Sequence, residues 1–382
     1  MSRHYDVEAV RREFPVVERM LYLDSAHQTP LAASVRDALL RFYSEGHDFA
    51  GPKPVWLARV DEVRRRVARL LNCAPSQIAF TKNTSEGMNI AANALPLEAG
   101  DNVLLVEGDH PNNAYAFLNL TRRGVEVRFV PLRGETADAS TFADAIDGRT
   151  RAISLSHVTF HAGHRFDVEA IGRLCRERGL FFVVDAMQST GVVPLDAAAI
   201  GATFLGSGCH KGLLVPQGLG ILLCREDVRE LNPAYMAMSS LASPPADYIA
   251  RADNMALRAD AGRFEIGNFN LPDIHALAAS LDLIEGIGVA SIEAHAYDLG
   301  DRLIGHCDEM GVRLVGPRDR AQRAPHIYVL DLPGEGWIDY LASENVRISP
   351  ERDGIRVSFG LFNSESDVDR FAAIVKRRLG AV

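Results

Sequence analysis

The sequence predicts an α/β protein with a mostly parallel central sheet, followed by a smaller α+β domain toward the C-terminus. Two observations predict it. From about Gln77 to Cys224, short apolar runs alternate with helical segments. One of those runs, Leu180-Phe181-Phe182-Val183-Val184, is continuously apolar, as a strand covered on both faces should be.

The predicted strands in this stretch are Ile78–Thr81, Val103–Glu107, Val125–Val130, Ala152–His157, Leu180–Asp185, Ala202–Gly206 and Gly220–Cys224. Helices are expected between them at Glu86–Leu95, Asn112–Arg123, Thr141–Ile146 and Val168–Arg178. The last has Asp167 at its N-cap and Gly179 just past its end, the start and stop chemistry of a helix. Residues 232–263 read as irregular or partly helical. A long helix follows at Leu271–Ile287. Then come helix Ile292–Met310, strands Val312–Leu314 and His326–Asp331, helix Trp337–Ser343, strand Ile355–Ser358 and helix Ser366–Leu379. The first helix, Val7–Glu13, is expected to pack on this C-terminal part. The organisation expected is an N-terminal segment over residues 1–20, a large domain over 21–262 and a small domain over 263–382.

At 382 residues the chain has room for two domains with full cores. Its net charge of -9 offers no basic footprint for nucleic acid or an anionic membrane. An anionic ligand must therefore be held locally. The five cysteines, Cys73, Cys175, Cys209, Cys224 and Cys307, are scattered and never spaced C-x-x-C. That argues against a disulfide framework and a zinc site, and for a reducing compartment. No apolar h-region opens the sequence and no stretch is long enough to span a bilayer. A cytoplasmic protein with no membrane or nucleic-acid partner and no metal is expected.

In open α/β sheets, ligands gather at the carboxyl ends of strands. Four predicted strand ends carry functional groups here. Thr81 leads into Thr84-Ser85 at a helix start, where backbone N–H groups and hydroxyls suit a phosphate. Asp109 and His110 follow Glu107. Asp185 closes the apolar strand. Ser207, His210 and Lys211 follow Gly206. A lysine for an aldehyde, a buried carboxylate for a pyridine nitrogen, an imidazole to stack on a ring and an anion-binding helix start together suit pyridoxal 5'-phosphate.

The segments Leu21-Tyr22-Leu23-Asp24-Ser25-Ala26, Phe80 to Glu86, Asp109-His110, Val184-Asp185-Ala186-Met187-Gln188 and His210-Lys211 with Gly218 and Gly220 recur in the order of one family. Phe264 to Asn268, Arg356-Val357-Ser358 and Phe362-Asn363-Ser364 continue the match. The chain resembles the class V aminotransferase family, which includes cysteine desulfurases, isopenicillin N epimerase-like enzymes and cysteine C–S lyases. The resemblance implies the aspartate aminotransferase-like fold of pyridoxal-phosphate enzymes. It implies Lys211 as the Schiff-base lysine, with Thr84, Ser85, Ser207 and His210 on the phosphate. It also implies His110 stacked on the ring, Asp185 on the pyridinium and Gln188 at the ring hydroxyl. Asn268 stands where the family reaches the phosphate of a neighbouring subunit, implying a homodimer with shared sites. Arg356 stands where the family grips the substrate carboxylate, and His27, His161 and His164 lie in segments that approach the substrate.

Four positions depart from the desulfurase pattern. Residues 346–354 carry no cysteine where desulfurases carry their persulfide-forming thiol. Ser207-Gly208-Cys209-His210-Lys211 is one residue longer than the usual motif. Thr159-Phe160-His161 replaces an asparagine near the ring, and Asn268 replaces a threonine. The expected function is therefore a C–S lyase acting by β-elimination on cysteine or an S-substituted cysteine, without a protein persulfide. The alternatives are a class V aminotransferase or epimerase, a decarboxylating oxidative deaminase of an S-conjugated cysteine from a natural-product pathway, and a non-catalytic binding protein.

Overall fold

The computed structural model describes residues 4–132, 138–228 and 230–380, so the outer ends of the expected domain ranges lie outside the described residues. The chain opens with helix Val7–Arg11, strand β1 (Leu21–Tyr22) and helices Ala33–Phe49 and Lys53–Leu70. Seven strands then build the large sheet: β2 (Ile78–Thr81), β3 (Asn102–Val106), β4 (Glu126–Val130), β5 (Thr150–Ser156), β6 (Phe181–Asp185), β7 (Phe204–Gly208) and β8 (Gly220–Cys224). Their spatial order is β2-β8-β7-β6-β5-β3-β4. Every pairing is parallel except those of β8, which runs against both β2 and β7.

Both faces of this sheet are covered, and the two-residue period of a strand shows why the strands read as unbroken apolar runs. Leu104, Val106, Phe182 and Val184 enter one hydrophobic cluster. Their alternates, Val103, Leu105 and Val183, enter the cluster on the opposite face. The edge strand β4 is different. It is half-exposed and carries Glu126 and Arg128, which keep a free edge soluble. Helix Val168–Arg178 appears as the sequence predicts, with the Asp167 carboxylate accepting from the Ala170 N–H at 2.9 Å and Gly179 left-handed at φ 64°.

The second sheet is antiparallel. Its strands are β9 (Arg313–Val315), β10 (Ile327–Asp331), β12 (Ser349–Glu351) and β13 (Gly354–Ser358), in the order β12-β13-β10-β9. Between them in sequence, β11 (Val346–Arg347) pairs in parallel with β1. Leu299, Leu303, Leu330, Val357 and Phe371 form this layer's own core. The N-terminal helix is tied to the C-terminal segment: Arg11 binds Asp367 at 2.7 Å and the Phe362 carbonyl at 2.9 Å, and the Phe14 and Phe362 rings lie 4.7 Å apart. Helix Leu271–Ile287 packs instead on Ala33–Phe49 and Lys53–Leu70, with Ile274, Leu277 and Leu281 buried in a large-sheet cluster. Among the described residues no single helix is long and apolar enough to cross a membrane.

Candidate active site

The carboxyl ends of β2, β3, β5, β6 and β7 converge on one cleft. At the end of β2, Asn83 caps helix Thr84–Ala94 by accepting from the Glu86 N–H at 2.9 Å. This leaves Thr84 and Ser85 in the first turn, at the positive end of the helix. After β3, His110 caps helix Pro111–Leu118: its Nδ1 accepts from the Asn112 N–H at 3.2 Å. The ring proton therefore sits on Nε2. Asn112 in turn donates to the Ser85 hydroxyl at 2.9 Å, which joins the two helix starts. The Phe160 ring meets His110 edge-on at 5.0 Å. Burial and the Lys211 charge hold the His110 imidazole below its usual range.

Asp185 ends β6 and is buried. Its carboxylate accepts from the Met187 N–H at 2.9 Å. Burial pushes its acid up to about 7; nearby Asp109 adds to the rise and Lys211 opposes it. Gln188 is buried, its amide donating to the Ala26 carbonyl at 3.0 Å, while its Oε1 has no partner.

Lys211 lies on the loop between β7 and β8. The loop is closed at its base, where the Cys209 N–H donates to the Leu219 carbonyl at 3.0 Å and the Val215 N–H to the Cys209 carbonyl at 3.1 Å. It presses on the segment after Asp185 so tightly that a β-carbon on Gly212 would overlap the Thr190 carbonyl oxygen. Burial first, then the Arg356 charge, lowers the Lys211 ammonium to about 8. Burial likewise lowers the neighbouring His210 to about 4.

Thr84, Ser85, His110, Asp185, Gln188, His210 and Lys211 all line this cleft. Ser207 does not. The sequence predicts a strand ending at Gly206, which would free Ser207 for the cleft. In the structure β7 runs on to Gly208, with Ser207 paired opposite Ile221. Its hydroxyl is buried and donates to the Gly208 carbonyl at 3.0 Å. Successive strand residues face opposite ways, so Gly208 is the residue that looks toward Thr84 and Met187.

Three other residues stand apart from the cleft wall. Asn268 is exposed on the segment after Phe264, and His27 is exposed beside Asp24, with its charge felt at His210. Arg356 is buried on β13 behind Phe160, whose carbonyl it binds at 3.0 Å. Its charge reaches both Lys211 and His110. His161 and His164 are not among the residues lining the cleft: His161 lies between Glu351 and Asp353, and His164 is half-buried and lowered to about 4 by burial. Gly208, Met187 and Phe160 lie in segments the sequence singles out but with no role of their own, and Glu351 carries no signal; the fold brings them here.

The family model described as aminotransferase class V matches residues 21–371. The chain belongs to this family. An uncharacterized aminotransferase of Schizosaccharomyces pombe is 32% identical over 97% of this chain and 96% of its own length. A probable cysteine desulfurase of Methanothermobacter thermautotrophicus is 34% identical, covering 78% of this chain and 74% of that protein. Among solved structures, the apo cysteine desulfurase of Thermococcus onnurineus superposes with a TM-score of 0.89 at 25% identity, covering 98% of each chain. The class V family uses pyridoxal 5'-phosphate, and this chain is an enzyme dependent on that cofactor. An amino-acid substrate is consistent with the family.

Proposed function

We propose that this class V enzyme is a C–S lyase that removes the sulfur substituent of cysteine or an S-substituted cysteine by β-elimination, without a protein persulfide. The observation that carries the reading is where the thiols lie. Among the described residues no cysteine lines the cleft. The stretch from Val346 to Arg356 forms β11, β12 and the start of β13 and holds no cysteine. Cys209 is two residues from Lys211, but it is wholly buried, and burial drives its thiol far above the ordinary range. Burial favours the neutral thiol, and the thiolate is the form that attacks sulfur.

The residues of the cleft fit the cofactor. The unpartnered Oε1 of Gln188 suits a ring hydroxyl, and Asp185, which lines the cleft and accepts one backbone N–H, suits a ring N–H. Thr84, Ser85 and His210 are assigned to the phosphate, with Gly208 leaving space beside Thr84. His110 is assigned to the ring face and Lys211 to the aldehyde carbon. When bound, the cofactor supplies an aldehyde that joins the substrate amine and a cationic ring that draws electrons from Cα. Lys211, lowered to about 8, holds far more neutral amine near pH 7 than an ordinary lysine and takes the Cα proton. Arg356 holds the substrate carboxylate and so sets which Cα bond faces Lys211. The balance is one S-substituted cysteine and one water giving thiol, pyruvate and ammonia.

Product analysis tests this. The holoenzyme is incubated with L-cysteine, L-cystine and S-methyl-L-cysteine, and thiol, pyruvate and ammonia are measured. Equal amounts of the three from at least one substrate are expected. Alanine with sulfur retained on the protein would restore a desulfurase. A keto acid that keeps its sulfur would make the enzyme an aminotransferase, and a D-amino acid would make it an epimerase.

A further inference from the structure

We propose that Glu351 and His161 form a positioning relay that orients Arg356 and reserves one edge of its guanidinium for the substrate carboxylate. The proposal rests on the reading of Arg356 as the carboxylate-binding residue.

Arg356 has five N–H donors in a fixed fork. Its Nη1 is fully used: it donates to the Phe160 carbonyl at 3.0 Å and to Glu351 Oε1 at 2.8 Å. The other edge is not. Nε is buried and has no partner. Nη2 has only a long ion-pair contact, 3.7 Å, with Asp24 Oδ1. Asp24 is itself engaged, accepting from the Ser349 hydroxyl at 2.6 Å and from Arg347 Nε at 3.3 Å. A buried N–H donor left without a partner costs free energy unless a ligand completes it. The Nε–Nη2 edge is the edge that binds a carboxylate with two parallel hydrogen bonds.

Glu351 is held as firmly as Arg356. Its second oxygen meets His161 Nδ1 at 3.1 Å, and His161 Nε2 meets Asp353 Oδ2 at 2.9 Å. The hairpin explains the reach. Glu351 on β12 pairs opposite Gly354 on β13, a residue with no side chain to obstruct it, and Arg356 is two residues further along. Phe160 and His161 belong to the same segment, and the Phe160 ring rests against His110. The relay therefore joins the arginine to the wall of the cleft. Glu351 is not a competitor for the carboxylate: it occupies Nη1, away from the Nε–Nη2 edge, and His161 shares it.

The test compares two probes on the holoenzyme, with binding followed by the absorbance of the bound cofactor. S-methyl-L-cysteine carries the carboxylate, and S-methylcysteamine lacks it. Glu351→Gln should weaken the first by roughly tenfold, the scale of one charged hydrogen bond, and leave the second unchanged. His161→Gln should shift the same ratio in the same direction by less. In an Arg356→Lys background, Glu351→Gln should have no further effect. Equal losses for both probes, no change, or tighter binding of S-methyl-L-cysteine would overturn the relay. If Glu351→Gln fails to fold, His161→Gln decides by the same ratio. If Arg356→Lys itself does not discriminate between the probes, the reading of Arg356 fails and the relay fails with it. Discrimination by Arg356→Lys without an effect of Glu351→Gln defeats the relay alone.

Discussion

Gly208 and Thr84 approach so closely that a β-carbon on Gly208 would lie 3.1 Å from the Thr84 hydroxyl oxygen and 2.9 Å from Met187 Sδ. Thr84 opens a helix and its short side chain has little room to withdraw, and Met187 Sδ is already engaged, accepting from the Gly208 N–H at 3.1 Å. Gly208→Ala should therefore weaken cofactor retention on the order of tenfold, the effect of modest overpacking. Cofactor absorbance after dialysis measures it. Retention equal to the unaltered protein would show that the space beside Thr84 is not used.

Lys211 gives a pH signature. Burial and Arg356 lower its ammonium from 10.5 to about 8. Only the neutral amine attacks an aldehyde. Uptake of pyridoxal 5'-phosphate by cofactor-free protein should speed up with rising pH and level off above about 8. Lys211→Ala should take up no cofactor covalently and show no turnover. A plateau reached only near pH 10 would mean that the lysine behaves as an exposed one.

Asp185 predicts a stability trend of definite sign. Its folded value, about 7, stands above the ordinary 3.8 because burial disfavours the carboxylate. The contribution of this group to stability is thus fully present below about pH 4 and is lost as pH rises through 7. Without cofactor, Asp185→Asn should melt roughly 5 °C above the unaltered protein at pH 8, and the gap should close toward pH 4. With cofactor the order should reverse, since the ring cation loses its partner. Melting curves of both forms at the two pH values check it.

The thiols yield a simpler expectation. Cys175, Cys209, Cys224 and Cys307 are buried and Cys73 is half-buried. Replacing all five by Ser or Ala should leave turnover on the best S-substituted cysteine within about twofold once loss of folded protein is corrected, because the lost groups are small. Activity lost specifically with Cys209, with a persulfide trapped there, would reinstate a desulfurase.

We further propose a homodimer with shared sites. Tyr248 is 80% exposed and Ile249 58%, and Met236, Met238, Met255 and Ile266 are also exposed. Apolar side chains on this scale are commonly covered by a partner. Asn268 follows Ile266 and is assigned to the neighbouring subunit's phosphate. Sedimentation should find a two-fold species. A monomer with full activity would exclude sharing.

Much of the fold was legible because burial writes a pattern. Helices Leu271–Ile287 and Trp337–Ser343 match the expected bounds residue for residue, and the apolar run ending at Asp185 is a central strand. Helices Ala33–Phe49 and Lys53–Leu70 went unpredicted. They are separated by Ala50-Gly51-Pro52, and their mixed charged faces cover the core with few apolar residues. The position of the cleft was legible where an unusual residue type closes or follows a strand, as at Asp185 and Lys211, which both line it. It was illegible where position alone matters. Ser207 and Gly208 exchange roles through a two-residue shift in where a strand ends. Glu351 gains its meaning only when an antiparallel hairpin brings it to Arg356.

The one reversed strand in the large sheet, β8, has a consequence for how the lysine works. Because β8 returns beside β7, the two stems of the Lys211 loop are hydrogen-bonded neighbours, Gly208 opposite Gly220. The backbone beneath the lysine is thus moored on both sides, and the flexibility left to it is that of a four-carbon side chain. A fixed post with a jointed arm can release one atom and reach the next without any rearrangement of the sheet.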